Sequence, residues 1–357
     1  MIRRRETTVA DHLVVKVRPE AEADFAAAVA RWGGQIRKKL YRPQLYLVAF
    51  PEPTLDTVPQ AIARLQAEAD VVTLACADQV VQALDLFPND PNFNLLYGLH
   101  NTGQIIQNQA GTADADVDAP TAWDRTTGSA EVIVAVIDTG VDYQHPDLNA
   151  NMWRNPGEIP GNGLDDDGNG LADDVYGYDF YTDDPDPFDD HYHGTHCAGT
   201  IGAVGNNGVG LAGVAWTVRL MALKFLSAGG SGFSSDGADA IHYATRMGAW
   251  LSSNSWGGEG VDPSLADAIG EAGASNILFV AAAGNSGRDI DVAPTYPAAF
   301  TNDNLICVAA TDNRDQKAGW SNYGAQGVDL AAPGVNIWSC QPGNKYQYLS
   351  GTSMATP

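Results

Sequence analysis

Three kinds of side chain in the sequence supply the chemistry of acyl transfer when they are brought together. Asp138 ends an apolar run, His193 and His196 open a stretch of small residues, and Ser353 lies in a small-residue turn. Each alone has an ordinary explanation: the aspartate caps a turn, the histidines bind a metal or cap a helix, and the serine belongs to a surface loop. Together, an acid, an imidazole and a hydroxyl are the orienting group, general base and nucleophile of a catalytic triad.

Asn285 is a fourth candidate for the same chemistry. It follows an apolar run, Phe279–Ala283, on a turn flanked by glycines. An amide N–H at the end of a strand can be aimed at the negative charge that develops on a carbonyl oxygen during acyl transfer. Asp138, His193 and Ser353 also follow one another along the chain in an order, acid, histidine, serine, that is known for such triads.

The elements that must position these residues alternate between strand and helix downstream of residue 86. The apolar runs are nearly continuous, as in strands that are covered on both faces, and helical stretches such as Asp236–Met247 and Pro263–Ala272 lie between them. This alternation predicts an α/β fold with a doubly wound, mainly parallel sheet. Active groups in such sheets gather beyond the carboxyl ends of the strands. The predicted strands are Val132–Ile137, Val218–Phe225, Trp250–Ser255, Ile277–Ala282 and Leu305–Ala310.

Residues 1–85 form a separate unit in the sequence. They carry eleven basic and eleven acidic residues, whereas residues 86–357 carry nine and thirty-three, so the whole net charge of −24 lies downstream. This change in charge composition predicts a domain boundary near Leu84–Pro91, and Phe87–Asn92 is interpreted as an exposed linker. The upstream pattern predicts a small α/β domain with strands Leu13–Val17, Leu45–Phe50 and Val71–Leu74 and helices Glu22–Trp32 and Pro59–Ala69.

Composition excludes several classes of function. With 20 basic against 44 acidic residues, the chain does not suit binding to nucleic-acid phosphates or to an anionic membrane surface. No apolar run is long enough for a membrane span, and the amino terminus has no signal-peptide pattern. Four widely spaced cysteines indicate neither a disulfide framework nor a zinc site, and Cys197 is expected to be buried rather than a second nucleophile.

The four chemical motifs together resemble those of the subtilisin-like serine proteases, the subtilases, and in particular the thermitase group. The resemblance runs from about Pro88 to Pro357. It implies that Asp138 orients the imidazole, that His193 is the general base, that Ser353 is the nucleophile and that Asn285 contributes to the oxyanion hole. Spacing alone does not choose His193 over His191 or His196.

The resemblance also implies where a peptide substrate binds. Two segments would flank an extended peptide and bind its backbone, which favours broad specificity. The small residues Ala282, Ala283 and Gly284 would form the pocket for the residue before the scissile bond, which favours a large apolar residue there; the alternative is that they are small only for strand packing. The flanking segments are Gly230-Ser231-Gly232 and Ser255-Trp256-Gly257.

Structural calcium is expected because residues 155–190 contain twelve acidic residues and no Lys or Arg. Such a density of charge is costly unless it is solvated or holds a cation. One stretch matches the front of an EF-hand-type loop, but Tyr176 occupies the position of its bidentate Glu, for which Asp173 and Asp174 could compensate. The resemblance implies two further sites; the rival interpretation is a solvated loop. The candidate ligands are Asp165, Asp167, Asn169 and Asp173 in the first site, Asp179, Asp184 and Asp186 in the second, and Asp147 and Asn207 in the third.

Given such a protease downstream, residues 1–85 resemble its propeptide, a small ferredoxin-like domain that assists folding and inhibits the enzyme. Cleavage would fall within Cys76–Asp90, and the alternative is a permanently attached accessory domain. The expected partners are protein or peptide substrates and this propeptide, and the expected location is extracellular. Because the sequence ends at Pro357, just after the nucleophile motif, a chain ending there is expected to be poorly active. The rival functions are transamidation to cyclise peptides and binding by an inactive protease-like module.

Overall fold

The structure is a computed structural model that describes residues 8–51, 53–54, 56–79 and 86–357. The chain divides into two compact units, one within Met1–Leu84 and the other within Asp85–Pro357. Residues 84 and 85 of the predicted boundary, and residues 80–85 of the predicted cleavage region, lie outside the described residues. None of the helices described is both long and apolar enough to cross a membrane.

The first unit is a four-stranded antiparallel sheet with two helices, in the sheet order β2-β3-β1-β4. Together with the chain order of its elements, this is the ferredoxin-like β-α-β-β-α-β arrangement. In β1, Leu13, Val15 and Val17 are buried at alternate positions, as expected of a strand with one covered face. The elements are β1 (Thr8–Val17), α1 (Glu22–Arg31), β2 (Gln35–Lys39), β3 (Leu45–Ala49), α2 (Thr57–Ala67) and β4 (Val72–Gln79).

The second unit is built on a seven-stranded parallel sheet. Its strands are β7 (Gly128–Asp138), β8 (Gly177–Asp179), β9 (Thr217–Lys224), β10 (Leu251–Asn254), β11 (Leu278–Ala282), β12 (Leu305–Thr311) and β13 (Leu330–Pro333). The remaining elements are two short strands, β5 (Ile105–Ile106) and β6 (Gln109–Ala110), the hairpin of β14 (Ile337–Gln341) and β15 (Lys345–Leu349), and the helices α3 (Ala119–Trp123), α4 (His193–Gly202), α5 (Ser234–Arg246), α6 (Pro263–Ala274) and α7 (Thr352–Ala355).

Helices cover both faces of this sheet. Alternate residues of β7 point to opposite sides: Val134 and Val136 pack in the core that includes α4, and Ala135 and Ile137 pack in the core that includes α5 and α6. The predicted α/β fold with a doubly wound parallel sheet is confirmed. Burial on both faces explains why these strands are apolar runs rather than alternating patterns.

The strand order, β13-β12-β11-β10-β7-β9-β8, reverses direction at β7. From β7 the chain adds β8 and β9 on one side and β10 to β13 on the other. Such a reversal leaves a crevice at the carboxyl ends of the two central strands. Asp138 ends β7, and Ser255 directly follows β10, so the polar residues of the sequence motifs lie at this crevice.

The interpretation of Phe87–Asn92 as an exposed linker is confirmed only in part: Phe87, Asn89 and Pro91 are exposed, but Asp90 is buried and the segment is bound to the second unit. Asp90 is only 4% exposed and accepts hydrogen bonds from the backbone N–H groups of Asn206, at 2.6 Å, and Asn207, at 3.3 Å. The backbone N–H of Asn92 donates to the carbonyl oxygen of Gly210 at 2.9 Å. A segment rich in Pro, Asn and Asp resembles a linker in composition, but here its polar groups are satisfied by a loop of the second unit.

Candidate active site

Asp138 and His193 are directly paired at the end of the central strand. The Nδ1 atom of His193 lies 2.8 Å from Oδ1 and 3.0 Å from Oδ2 of Asp138. The aspartate is 1% exposed, and its Oδ1 also accepts the backbone N–H of Thr139 at 2.7 Å. Since an ionised carboxylate only accepts hydrogen bonds, Nδ1 carries a proton and Nε2 is left free to accept one.

The structure separates His193 from the other two histidines of the motif. His196 is fully buried, and its Nε2 faces the carbonyl oxygens of Ile337 at 3.0 Å and Gln347 at 3.3 Å. Burial lowers the pKa of His196 to about 4, so this ring is neutral and packs inside the protein. The ring of His191 stacks on Tyr192 instead of pairing with a carboxylate.

Opposing effects act on the pKa of His193. Burial by itself lowers the pKa of His193, but the charge of Asp138, their hydrogen bond and the charge of Asp189 outweigh it, so the pKa lies above the ordinary value of 6.5. The side chain remains 21% exposed. A base must be neutral to accept a proton. His193 therefore loses its capacity to accept a proton as the pH falls through this raised pKa.

Ser353 lines the same cleft as His193. It is 8% exposed and lies in the first turn of α7, where backbone N–H groups have no partner within the helix. Its hydroxyl donates to the carbonyl oxygen of Ser255 at 3.1 Å rather than to His193. Activation of this hydroxyl by the imidazole would require that it exchange this hydrogen bond for one to His193.

Asn285 is oriented by its neighbour in the nucleophile turn. Its Oδ1 accepts the backbone N–H of Thr352 at 2.8 Å and the hydroxyl of the same residue at 3.0 Å. A backbone N–H can only donate, so the atom facing Thr352 is the oxygen, and the amide nitrogen is directed elsewhere. Asn285 is exposed at the cleft, which leaves Nδ2 available as a donor.

The walls of the cleft contain most of the predicted substrate-binding residues. The cleft has a volume of about 820 Å³ and is lined by both flanking segments, Gly230–Gly232 and Ser255–Gly257, and by Ala282 and Gly284. Trp256 is anchored below it, because its indole N–H donates to the carbonyl oxygen of Ile137 at 2.9 Å.

Ala283 does not line the cleft, contrary to the prediction. It is fully buried and belongs to a core cluster with Ile290, Ala298, Cys307 and Ala309. Successive residues leaving a strand point to opposite sides, so Ala282 and Gly284 face the cleft while Ala283 faces the core.

Motif reasoning missed an ion pair in the cleft wall. Arg288 lies 2.8 Å from Glu259, and both residues line the cleft. Arg288 follows the Asn285 turn and Glu259 follows the Ser255 segment, so the pair joins the two walls. Arg288, three positions after Asn285, is the feature of the sequence that could have indicated this ion pair.

The sequence of this unit matches one protein family. The sequence model of the subtilase family matches residues 129–357, a range that contains Asp138, His193, Asn285 and Ser353. The chain belongs to the subtilase family. It is a serine endopeptidase, a hydrolase of peptide bonds.

Named relatives agree with this assignment. The chain is 38% identical over 300 residues to a thermophilic serine proteinase of Bacillus sp. (strain AK1), covering 82% of this chain and 67% of the relative. It is 40% identical over 271 residues to thermitase of Thermoactinomyces vulgaris, covering 76% and 81%. A crystal structure of a cold adapted subtilisin-like serine proteinase matches with a TM-score of 0.54 and 30% identity, over 74% of this chain and 81% of that one.

The acidic loop of this subtilase gathers carboxylates, but not the full predicted set. One oxygen each from Glu158, Asp167 and Asp174 lies within 4.8 Å of the others. Asp174 is fully buried and Glu158 is 8% exposed. Asp174 was expected as a substitute for the missing bidentate glutamate of the loop pattern, whereas Glu158 was not predicted because it precedes that pattern.

The other predicted residues of this loop have different partners. Asp173 accepts backbone N–H groups from residues 161–163 at 2.7–3.1 Å. Asp165 accepts those of Asn169 at 3.0 Å and Gly170 at 2.9 Å. The amide nitrogen of Asn169 donates to Asp174 at 2.8 Å. These contacts shape the loop around the three gathered carboxylates.

The second predicted set is only partly brought together. The hydroxyl of Thr182 bridges Asp179 and Asp184, at 2.8 Å from an oxygen of each. Asp186 instead accepts the hydroxyl of Tyr143 at 2.9 Å.

In the third set, Asp147 is fully buried and accepts the amide of Asn207 at 3.0 Å, as well as the backbone N–H of Leu211 and the hydroxyl of Tyr346, both at 2.9 Å. Sequence reasoning missed a buried carboxylate beside this set, because Asp90 falls in the segment interpreted as a linker. Burial raises the pKa of Asp90, and the charge of Asp147 adds to this effect.

Proposed function

We propose that this subtilase hydrolyses peptide bonds through an acyl-enzyme on Ser353, with Asp138 and His193 as the other members of the triad. The observation that carries the proposal is the 2.8 Å pairing of His193 with a buried carboxylate, in the cleft that Ser353 also lines. Asp138 holds the ring with Nε2 free and stabilises the imidazolium when it forms.

The reaction uses the groups of the cleft in turn. The hydroxyl of Ser353 leaves the carbonyl of Ser255, gives its proton to Nε2 of His193 and attacks the substrate carbonyl carbon. The amide nitrogen of Asn285 and the backbone N–H of Ser353 stabilise the oxyanion. The imidazolium then protonates the leaving amine, and water attacks the acyl-enzyme by the same route in reverse.

The walls of the cleft give the proposal its substrate class. An extended peptide hydrogen-bonds along Gly230–Gly232 and Ser255–Gly257, and backbone recognition of this kind tolerates many sequences. Ala282 and Gly284 leave room for a large apolar side chain before the scissile bond, next to the pair of Arg288 and Glu259.

Product analysis in H₂¹⁸O tests the reaction class. A linear peptide with one scissile bond is incubated with the full protein, and its products are weighed. Hydrolysis puts one ¹⁸O into the new carboxyl terminus of the amino-terminal fragment. A cyclic or ligated product without ¹⁸O would show that an amine, and not water, receives the acyl group.

Replacing Asn285 by Ala is expected to lower kcat by about 10²–10³-fold with little change in KM, the scale known for loss of this donor in subtilisin. The reason is that the amide nitrogen contacts the oxygen only when its charge develops. Steady-state kinetics on a chromogenic peptide measure the effect. Asn285→Asp is the matched variant: it keeps the acceptor for Thr352 but removes the N–H donor, so it should be equally slow. An Asn285→Asp enzyme with normal kcat would contradict the role of Asn285 as an oxyanion donor.

Calcium is proposed as a structural ion in the acidic loops. The donor set fits a hard cation, because Glu158, Asp167 and Asp174 converge and none of the Lys or Arg side chains described forms a salt bridge with them. Asp147 and Asp90, both buried, are a second place where a cation would offset repulsion. The Asp179 and Asp184 pair is a third candidate.

Removal of calcium is expected to lower the melting temperature. One site at a free concentration 100 times its Kd adds about 2.7 kcal/mol. At about 2–4 °C per kcal/mol for a domain of this size, chelation should lower Tm by roughly 5–10 °C. Calorimetry with calcium or EDTA, on the Ser353→Ala variant to prevent self-digestion, measures this shift. Asp174→Asn should shrink the shift and Asp303→Asn, on the exposed surface, should not; an unchanged Tm in EDTA would contradict the proposal.

The first unit is proposed to be a propeptide, and the mature enzyme to act outside the cell. Its ferredoxin-like fold and its place before the protease support this role. Intact-mass measurement on the purified protein should find a new amino terminus within Cys76–Asp90, whereas the Ser353→Ala variant should keep its own. A wild-type enzyme that is fully active and uncleaved would favour a permanent accessory domain.

A further inference from the structure

A second buried carboxylate lies beside the pair of Asp138 and His193. Asp189 is 1% exposed. Its Oδ1 accepts the hydroxyl of Thr139 and the backbone N–H groups of His191 and Tyr192, each at 2.9 Å. Its Oδ2 accepts the backbone N–H of Thr195 at 2.9 Å and the hydroxyl of the same residue at 2.6 Å.

Every one of these donors belongs to a segment that carries a catalytic side chain. Thr139 follows Asp138 directly, and the other donors lie within two residues of His193. The hydroxyl of Thr139 connects the two segments, because it donates to Asp189 and accepts the backbone N–H of Gly194 at 2.9 Å. One carboxylate thus joins the end of β7 to the start of α4.

The backbone before His193 also needs this support. Tyr192 has a φ of +122°, in a region that non-glycine residues rarely adopt. Such conformations persist only where the surroundings hold them. The N–H of Tyr192 and that of His191 are both held by Asp189, so the carboxylate maintains the turn that directs the imidazole.

The charge of Asp189 is not neutralised by a salt bridge. In the part of the chain that the structure describes, its partners are hydroxyl and N–H groups, whereas the nearby Lys224 pairs with Asp190 at 2.8 Å and donates to the carbonyl of Thr139 at 3.0 Å. A buried negative charge without a cation acts on any positive charge that forms nearby.

We propose that Asp189 is a positioning residue for catalysis: it joins the segments of Asp138 and His193 and supplies a second buried negative charge beside the imidazolium of the transition state. The inference rests on the proposed function. The other titratable groups that surround His193 are Asp138 on β7, His191 in the preceding turn, and His196 and Cys197 on α4. Burial raises the pKa of the Cys197 thiol, so it stays neutral.

Asp189→Asn tests the proposal because it removes the charge with little change in size. Both oxygens of Asp189 accept backbone N–H groups, so the asparagine NH₂ also replaces one acceptor of these hydrogen bonds. We expect kcat to fall on the order of 10²-fold, as for a small misplacement of a catalytic group, with KM nearly unchanged. The acidic limb of the profile of kcat/KM against pH should move to lower pH, because His193 loses a charge that favours its protonated form. A purely structural role would not move this limb.

Asp239→Asn is the control, since it removes the same charge at the exposed surface of α5. It should keep the wild-type acidic limb. If Asp189→Asn has wild-type kcat and an unmoved limb, or if Asp239→Asn moves the limb equally, the proposal is overturned.

A second variant covers the case in which Asp189→Asn does not fold. Thr139→Val removes only the connecting hydroxyl, while Thr139→Ser keeps it. The valine variant should lose kcat and the serine variant should retain it; equal activity would overturn the positioning role. Hydrolysis by the wild type and its loss in Ser353→Ala are measured alongside, so failure of the proposed function would be seen separately.

Discussion

Replacing Ser353 by Ala is expected to lower kcat by about 10⁶-fold, the scale known for loss of the nucleophile in subtilisin. In the proposed mechanism this substitution removes the oxygen that forms the acyl-enzyme and leaves the residues proposed to bind the peptide unchanged. KM should therefore change little. Single-turnover and steady-state assays with a sensitive fluorogenic peptide measure the residual rate.

Ser350→Ala is the matched control for this prediction. Ser350 is exposed three residues earlier, and its hydroxyl accepts the backbone N–H of Asn336 at 2.8 Å. It should retain full activity. A Ser353→Ala enzyme that keeps even a hundredth of the wild-type rate would contradict the nucleophile assignment.

Replacing Asp138 by Asn is expected to lower kcat by about 10⁴-fold near neutral pH, the scale known for this change in serine proteases. The structure gives the reason. Oδ1 of Asp138 accepts the backbone N–H of Thr139, so an asparagine would keep its oxygen there and turn its NH₂ toward Nδ1 of His193. That arrangement favours the tautomer with the proton on Nε2, which cannot take the proton of Ser353.

The measurement for Asp138→Asn is kcat across pH, with Asp239→Asn as a control on the exposed side of α5. The control should match the wild type. If Asp138→Asn lost less than tenfold, the carboxylate would not be needed to set the tautomer, and another group would have to orient the ring.

The strands of the main sheet were predictable because they are buried on both faces. The runs at Val132–Ile137 and Leu305–Ala310 lie within β7 and β12. In contrast, β2 was missed because its five residues, Gln35–Lys39, are all exposed and mostly polar. Short strands such as β8, three residues in an acidic stretch, have no apolar pattern to mark them. Tertiary pairing, and not local sequence, makes these segments strands.

The candidate site, like the sheet, could be predicted from the sequence only in part. Asp138, His193, Asn285 and Ser353 were recognisable because their motifs are local. His193, Asn285 and Ser353 line one cleft, and Asp138 is buried behind His193. The side to which Ala283 points could not be predicted, because it depends on the residue at which β11 ends.

The acidic sites depend on contacts between distant parts of the chain. Asp90 and Asp147 are more than fifty residues apart in the sequence. They come close because each binds the loop that contains Asn206 and Asn207. Asp174 is buried through contact with Tyr243 on α5, at 2.5 Å. Spacing within one loop carries no information about such neighbours.

Labelling with a fluorophosphonate, followed by peptide mapping, tests the role of Ser353 as nucleophile, because this reagent reacts with an activated serine. We expect one label per chain, on Ser353, with labelling that slows by orders of magnitude in His193→Ala. A labelled serine elsewhere, or unchanged labelling of Ser353 without His193, would contradict this role.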